Sequence, residues 1–207
     1  RDIRETGQSL SAAAVAAVMA IEHNYRVIAI STDFNDKTLE NCFYNSKQAS
    51  VTSFLKNTIT TDISNGAEGL IRAFASNRAS ADMIKSYTKP ILKDRLDVLP
   101  GLKTTDYKTF VNMTNYFSQI ADVSQEIPSD VQMRILNISD LVLVGVNQSL
   151  SAINNFLKLK TTEPFFQKSN VVIEIGKYNP YSKYSAKNIG RILREKNIPW
   201  AVPYNIN

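Results

Sequence analysis

The sequence predicts an α/β fold with an open, mostly parallel sheet, and three observations carry that prediction. Short apolar runs recur at 26–30, 140–146 and 170–176, each of the kind a strand buried on both faces requires. Stretches with helical apolar spacing lie around them, from Ser11 to Glu22, Ser129 to Ile138 and Ser149 to Lys160. Strand and helix therefore alternate, as a parallel sheet covered by helices demands.

Each element follows from its residues. Ser11 to Glu22 is alanine-rich with Val15, Val18, Met19 and Ile21, a helix-forming composition whose small side chains allow close packing on a sheet. Arg26-Val27-Ile28-Ala29-Ile30 follows at once as a strand. The pattern is weak over Glu40 to Lys56, and Gly66 to Asn77 and Met83 to Thr88 read as short helices. Leu96-Asp97-Val98-Leu99-Pro100-Gly101 reads as a strand ending in a turn.

Thr105 to Ile120, with Tyr107, Phe110, Val111, Tyr116 and Phe117, has the spacing of an amphipathic helix, and Ser129 to Ile138 repeats it with Val131, Ile135 and Leu136. Asp140 to Val146 is the clearest strand. Ser149 to Lys160 is a helix with Leu150, Ile153, Phe156 and Leu157 on one face, and Asn170 to Gly176 is the next strand. Ser185 to Lys196 reads as a basic amphipathic helix and Trp200 to Pro203 as a last short strand. At 207 residues, a single domain over 1–207 is expected.

Composition narrows the chemistry. One cysteine, Cys42, excludes an internal disulfide, and with one histidine, His23, it cannot build the usual zinc cage or a cysteine–histidine relay. A reduced, cytoplasmic setting fits. No apolar run reaches the roughly 18–20 residues of a membrane span, and no secretory leader is visible. The net charge of +5 favours anionic partners such as nucleic acid, nucleotide or an acidic membrane. The densest basic groups are Lys183, Lys187, Arg191, Arg194 and Lys196, and Lys85, Lys89, Lys93 and Arg95; on helices such faces are most often plain solvated surface.

The stretch Arg4-Glu5-Thr6-Gly7-Gln8-Ser9-Leu10-Ser11 opens the first helix, where backbone N–H groups of a turn and a helix N-terminus can converge on a phosphate. Three further segments accompany it in order: VIAISTDFN, with Asp33 at the strand end; DVSQEIPSDVQMRILNISDLVLVGVNQSLSAINNF, with Asp122, Asp140 and Gln148; and NVVIEIGKYNP followed by IPWAVPYN. Together these resemble the ParA/MinD family of P-loop ATPases, the deviant-Walker group that writes K-G-G-x-x-G-K-T-T at the loop. The phrases YTKPILKDRLDVLPG and GKYNPYSKYSAKNI are most similar to its divergent TadZ-like members from tight-adherence pilus loci.

The resemblance implies a three-layer α/β/α P-loop fold and, residue by residue, a degraded loop. The family's signature lysine falls on Arg4, its glycines on Glu5, Thr6 and Gln8, its second lysine on Ser9 and its magnesium threonine on Leu10; a shift of one brings Ser11 nearer the metal. ATP or ADP would then be held weakly by Arg4, Gly7, Gln8, Ser9, Leu10 and Ser11, with hydrolysis weak or lost. Gly7 and Ser9 also serve as the plain start and cap of a helix.

Asp33 and Asp122 correspond to the catalytic acids and, with Ser11, to the Mg2+ ligands; either also reads as a solvated strand-end acid. Lys177, Asn179, Pro203 and Tyr204 correspond to the adenine enclosure, and Asn-Pro and Pro-Tyr also read as ordinary turns.

Two departures stand out. The family has strands running into the loop and into the acid at Asp122, and neither is legible here, so the sequence is expected to be incomplete. The function implied is a dimeric localisation or scaffolding factor for pilus or secretion-machine assembly, cytoplasmic and either polar or peripheral to the membrane. The alternative is an active partitioning ATPase that binds DNA through its basic helix.

Overall fold

A computed structural model describes residues 7–32, 38–43, 66–76, 81–99, 109, 111–112, 119–123 and 127–203. The chain divides into two compact units, one formed by 9–135 and the other by 1–8 with 136–207.

The unit formed by 9–135 contains a four-stranded sheet. Helix α1 (Gln8–Ile21) leads into strand β1 (Val27–Ser31); α2 (Thr38–Phe43), α3 (Ala67–Ala75) and α4 (Ala81–Tyr87) precede β2 (Lys89–Leu92), β3 (Leu96–Leu99) and β4 (Gln119–Asp122). Strand order is β2-β3-β1-β4, with β1 parallel to both neighbours and β2 antiparallel to β3.

The period-2 alternation of β1 assigns its side chains to two cores. Val27 and Ala29 pack with Leu96, Val98 and the buried alanines 12, 13, 16 and 20 of α1. Ile30 packs on the opposite face with Leu99, Leu70, Ile71, Ile84, Ile127, Val131 and Ile135. The alanine stripe is what lets α1 lie close to the sheet, as its composition foretold.

Two expectations are corrected in this unit. The segment expected as a helix through Ile120 ends as strand β4, because pairing with β1 from Ile28↔Gln119 to Ser31↔Asp122 sends Ile120 to one core and Ala121 to the other. A strand does run into Asp122; with only two apolar residues its period was too short to read. Strand β2 was not foreseen at all. Residues 93–95 turn the chain with Asp94 at φ 61, and Pro90, which has no N–H to donate, sits on this edge strand.

Helix α5 (Ser129–Ile138) spans the boundary of the units, and its Val131 and Ile135 belong to the core just described. The unit of 136–207 then holds a wholly parallel sheet, β5 (Val142–Asn147), β6 (Val171–Tyr178) and β7 (Trp200–Pro203), in that order. Helix α6 (Leu150–Thr162), a 3-10 turn (Pro164–Gln167) and α7 (Ala186–Ile192) connect the strands. Ile153, Phe156, Ile173, Ile175, Ile189 and Leu193 form the core of this unit.

Both helices start on serine caps, Ser149 accepting from Ala152 N at 3.1 Å and Ser185 from Asn188 N at 3.3 Å. Helix α7 is shorter than its sequence pattern, which ran to Lys196. Arg194 takes a left-handed conformation at φ 56, and Glu195 N donates back to Gly190 O at 2.9 Å, closing the helix end. Lys160 reinforces that end by donating to Leu193 O at 3.0 Å and pairing with Glu195.

Candidate functional site

The residues at the start of α1 meet the end of β4. Gly7, at φ 78, sets the turn immediately before α1; a Cβ there would meet nothing within 4 Å, so the backbone angle rather than space favours glycine. Two residues on, Ser9 Oγ donates to Asp122 Oδ2 at 2.5 Å. A hydroxyl bonded this closely to an ionised carboxylate is a charge-assisted contact.

The main chain of Asp122 is held from the neighbouring strand. Thr32, fully buried just beyond β1, donates to Asp122 O through its N–H at 2.9 Å and through Oγ1 at 3.1 Å. The carboxylate is therefore presented from the carboxyl ends of adjacent parallel strands, where open α/β sheets gather their ligands. Cys42 of α2 feels the charge of the same acid: its side chain is exposed, yet local desolvation raises its thiol pKa above the ordinary value and the charge of Asp122 raises it further.

The other predicted loop residues are distributed more loosely. Gln8 and Ser11 are partly buried, and Leu10 is 58% exposed with no oxygen to offer a metal. Arg4, Asp33 and Tyr204 lie outside the described residues. Among the described residues, no group of three His, Cys, Asp or Glu side chains could hold a metal. The Ser9 hydroxyl and the Asp122 carboxylate nevertheless form a hard oxygen pair of the sort Mg2+ accepts alongside phosphate oxygens and water.

A second locus lies in the other unit, at the ends of β5 and β6. Gln148, just after β5, accepts from Asn179 N at 2.6 Å and donates to Asn179 O at 3.2 Å and Tyr184 O at 2.8 Å. One amide thus clamps the loop after β6. Asn179 closes the loop from within, its Oδ1 accepting from Tyr181 N at 2.9 Å and its carbonyl from Ser182 N at 3.1 Å. Lys177 is exposed at φ 52, and Pro203 lies opposite Tyr178 on β7.

Sequence reasoning placed Gln148 among family matches without foreseeing this clamp, and it missed Thr32 and Cys42 as neighbours of Asp122. The Ser-Thr-Asp end of the first strand was the available signal for Thr32; Cys42 carried none, because only chain folding brings it there.

Charge is equally uneven. Residues 177–203 hold six of the 24 lysines and arginines and one of the 19 acids, leaving 18 of each elsewhere, so this segment carries the entire formal excess of +5.

No protein-family model and no curated protein matches the sequence. Solved structures do. A ParA family ATPase from Chlorobium tepidum TLS superposes with a TM-score of 0.71 at 16% identity, over 97% of this chain and 81% of that one. A putative plasmid partition protein from Borrelia burgdorferi B31, bound to AMPPNP, gives 0.55 at 18% identity over 98% and 82%. The septum site-determining protein MinD from Pyrococcus horikoshii OT3, complexed with Mg-ADP, gives 0.55 at 11% identity over 97% and 77%. Such identities establish the fold alone. The chain has an α/β fold of the P-loop type, and within that class it has the architecture of the ParA/MinD ATPases.

Proposed function

We propose that this protein is a ParA/MinD-like nucleotide-binding scaffold, dimeric when loaded, whose phosphate loop binds ATP or ADP with Mg2+ weakly and turns it over slowly. The observation that carries the reading is the Ser9–Asp122 hydrogen bond. In a phosphate loop the hydroxyl after the lysine meets the metal and its acid. With Ser9 in that role, Gly7-Gln8-Ser9 lies on the G-K-[ST] end of the motif, and Gln8 stands where the lysine would be.

The consequences follow from charge. A glutamine amide can hydrogen-bond a phosphate oxygen but brings no positive charge, so it stabilises a charged transition state less than lysine does. Mg2+, when bound, neutralises phosphate charge; Ser9 and Asp122 are the residues that would hold it, and Thr32 keeps Asp122 in place. The N-terminus of α1 adds its N–H groups and dipole. Binding energy without efficient turnover suits a nucleotide that holds subunits together, and a pilus or secretion assembly is the machine such a dimer would position.

The test is a titration of ATP with Mg2+ that follows melting temperature, phosphate release and molecular mass together. A ligand that prefers the native state raises its melting temperature. A rise with dimerisation and little phosphate release supports the scaffold; turnover typical of an active ATPase overturns it.

The charge concentrated in 177–203 favours a second reading, a partitioning ATPase that binds DNA through Lys183, Lys187, Arg191 and Arg194. That reading requires both ATP turnover and DNA affinity falling steeply with salt.

A further inference from the structure

We propose that the loop 179–184 and the outer face of α7 form a binding site for single-stranded nucleic acid, with an unpaired base stacked on Tyr181. The inference goes beyond the nucleotide reading and uses neither Ser9 nor Asp122.

The first observation is a group of cations. Lys183, Lys187, Arg191 and Arg194 recur at spacings of four, four and three residues along and beside α7, and all are exposed. Helical rise separates Lys187 from Arg191 by about 6 Å. Glu195, the single acid in 177–203, is turned instead into the partly buried pair with Lys160. Among the described residues no salt bridge engages any of the four. Lys187 and Arg191 share one face of α7, with Lys183 and Arg194 just beyond its two ends, and such an unneutralised group of cations fits a chain of phosphates.

The second observation is independent of charge. Tyr181 is 95% exposed, although its loop is fastened by Gln148, Asn179 and Ser182. Among the described residues the Tyr181 ring has no aromatic partner, while Lys183 covers the ring of its neighbour Tyr184 at 5.2 Å. A fastened loop that presents a bare aromatic ring has already lost the entropy that binding would otherwise cost. Flat aromatic rings beside a basic groove are how proteins hold unpaired bases without reading sequence. A duplex keeps its base faces stacked inside and offers this ring no such partner; a single strand does.

The experiment measures fluorescence anisotropy of a labelled oligothymidylate with the intact protein, beside a duplex of equal length and vesicles rich in phosphatidylserine. The expected result is binding of the single strand in preference to the duplex. Tyr181→Ala should weaken it about tenfold and Tyr181→Phe should restore it. Reversing Lys187 and Arg191 to Glu should abolish it. Equal affinity of Tyr181→Ala and wild type, preference for the duplex, or binding of vesicles without the oligonucleotide would each overturn the proposal. The substitutions lie on exposed positions, and unchanged melting temperatures confirm that the variants fold.

Discussion

Ser9 and Asp122 lie 113 residues apart in sequence and share a 2.5 Å hydrogen bond between a hydroxyl and a carboxylate. The bond joins the start of the first helix to the end of a strand, and it selects which loop oxygen faces the acid. Ser9→Ala removes a donor to a partly buried charged group and should cost about 1–2 kcal/mol. The melting temperature should drop by a few degrees. In the same scans, any rise produced by ATP with Mg2+ should disappear in Ser9→Ala and in Asp122→Asn. A full rise retained by both variants would separate nucleotide binding from this pair.

Cys42 offers a probe of the same acid, since it is the chain's sole cysteine. Local desolvation first and the Asp122 charge second disfavour its thiolate. Iodoacetamide at about pH 8 should therefore label it more slowly than it labels the unfolded chain. Asp122→Asn removes the negative neighbour and should speed labelling. The linked stability has a definite sign: a folded pKa above the unfolded one stabilises fully below the unfolded thiol value, about 8.5, and the contribution is lost as pH rises through the folded value. Asp122→Asn should flatten that alkaline decline, as pH-dependent denaturant melts would reveal.

Gln148 makes three hydrogen bonds to the backbone of the loop after β6. Gln148→Ala should release that loop without melting the sheet, since Gln148 lies outside β5. Exchange of the Asn179 amide, now bonded at 2.6 Å, should accelerate about tenfold or more while the β6 amides of Ile173 and Ile175 stay protected. Uniform acceleration through β6 would mean that the side chain supports the whole unit.

Gly190 lies against Pro199, where a Cβ would stand 2.9 Å from the proline Cδ. The ring cannot swing away as a flexible side chain can. Gly190→Ala should therefore destabilise by about 1–3 kcal/mol despite the better helix propensity of alanine. Denaturant unfolding measures it, and a stability equal to wild type would show that the 197–199 turn yields freely.

Much of the fold was legible because burial imposes a period on the sequence. The alanines of α1, the apolar runs of β1, β5 and β6 and the Ile153–Phe156 face of α6 each repeat often enough to be read. Strands β2 and β4 were hidden, because KPIL carries a proline and QIAD only two apolar residues, and their partners define them. Within the candidate site, Asp122 could be picked out by its family-like surroundings and Thr32 had the Ser-Thr-Asp strand end as a signal, whereas Cys42 had none, because nothing local connects it to Asp122.

The sequence by itself determined the class of fold, the poverty of glycine and lysine in residues 4–11, and the concentration of positive charge in 177–203. These are properties of composition and spacing, and they hold before any chain contact forms. Tertiary structure alone decided that Ser9, rather than Ser11, supplies the hydroxyl to Asp122, because the pairing of β4 with β1 and the seating of α1 on the sheet fix that meeting in space. It decided equally that Gln148 fastens the loop beneath Tyr181. Contacts between residues distant in sequence depend on register and packing, which no local pattern encodes.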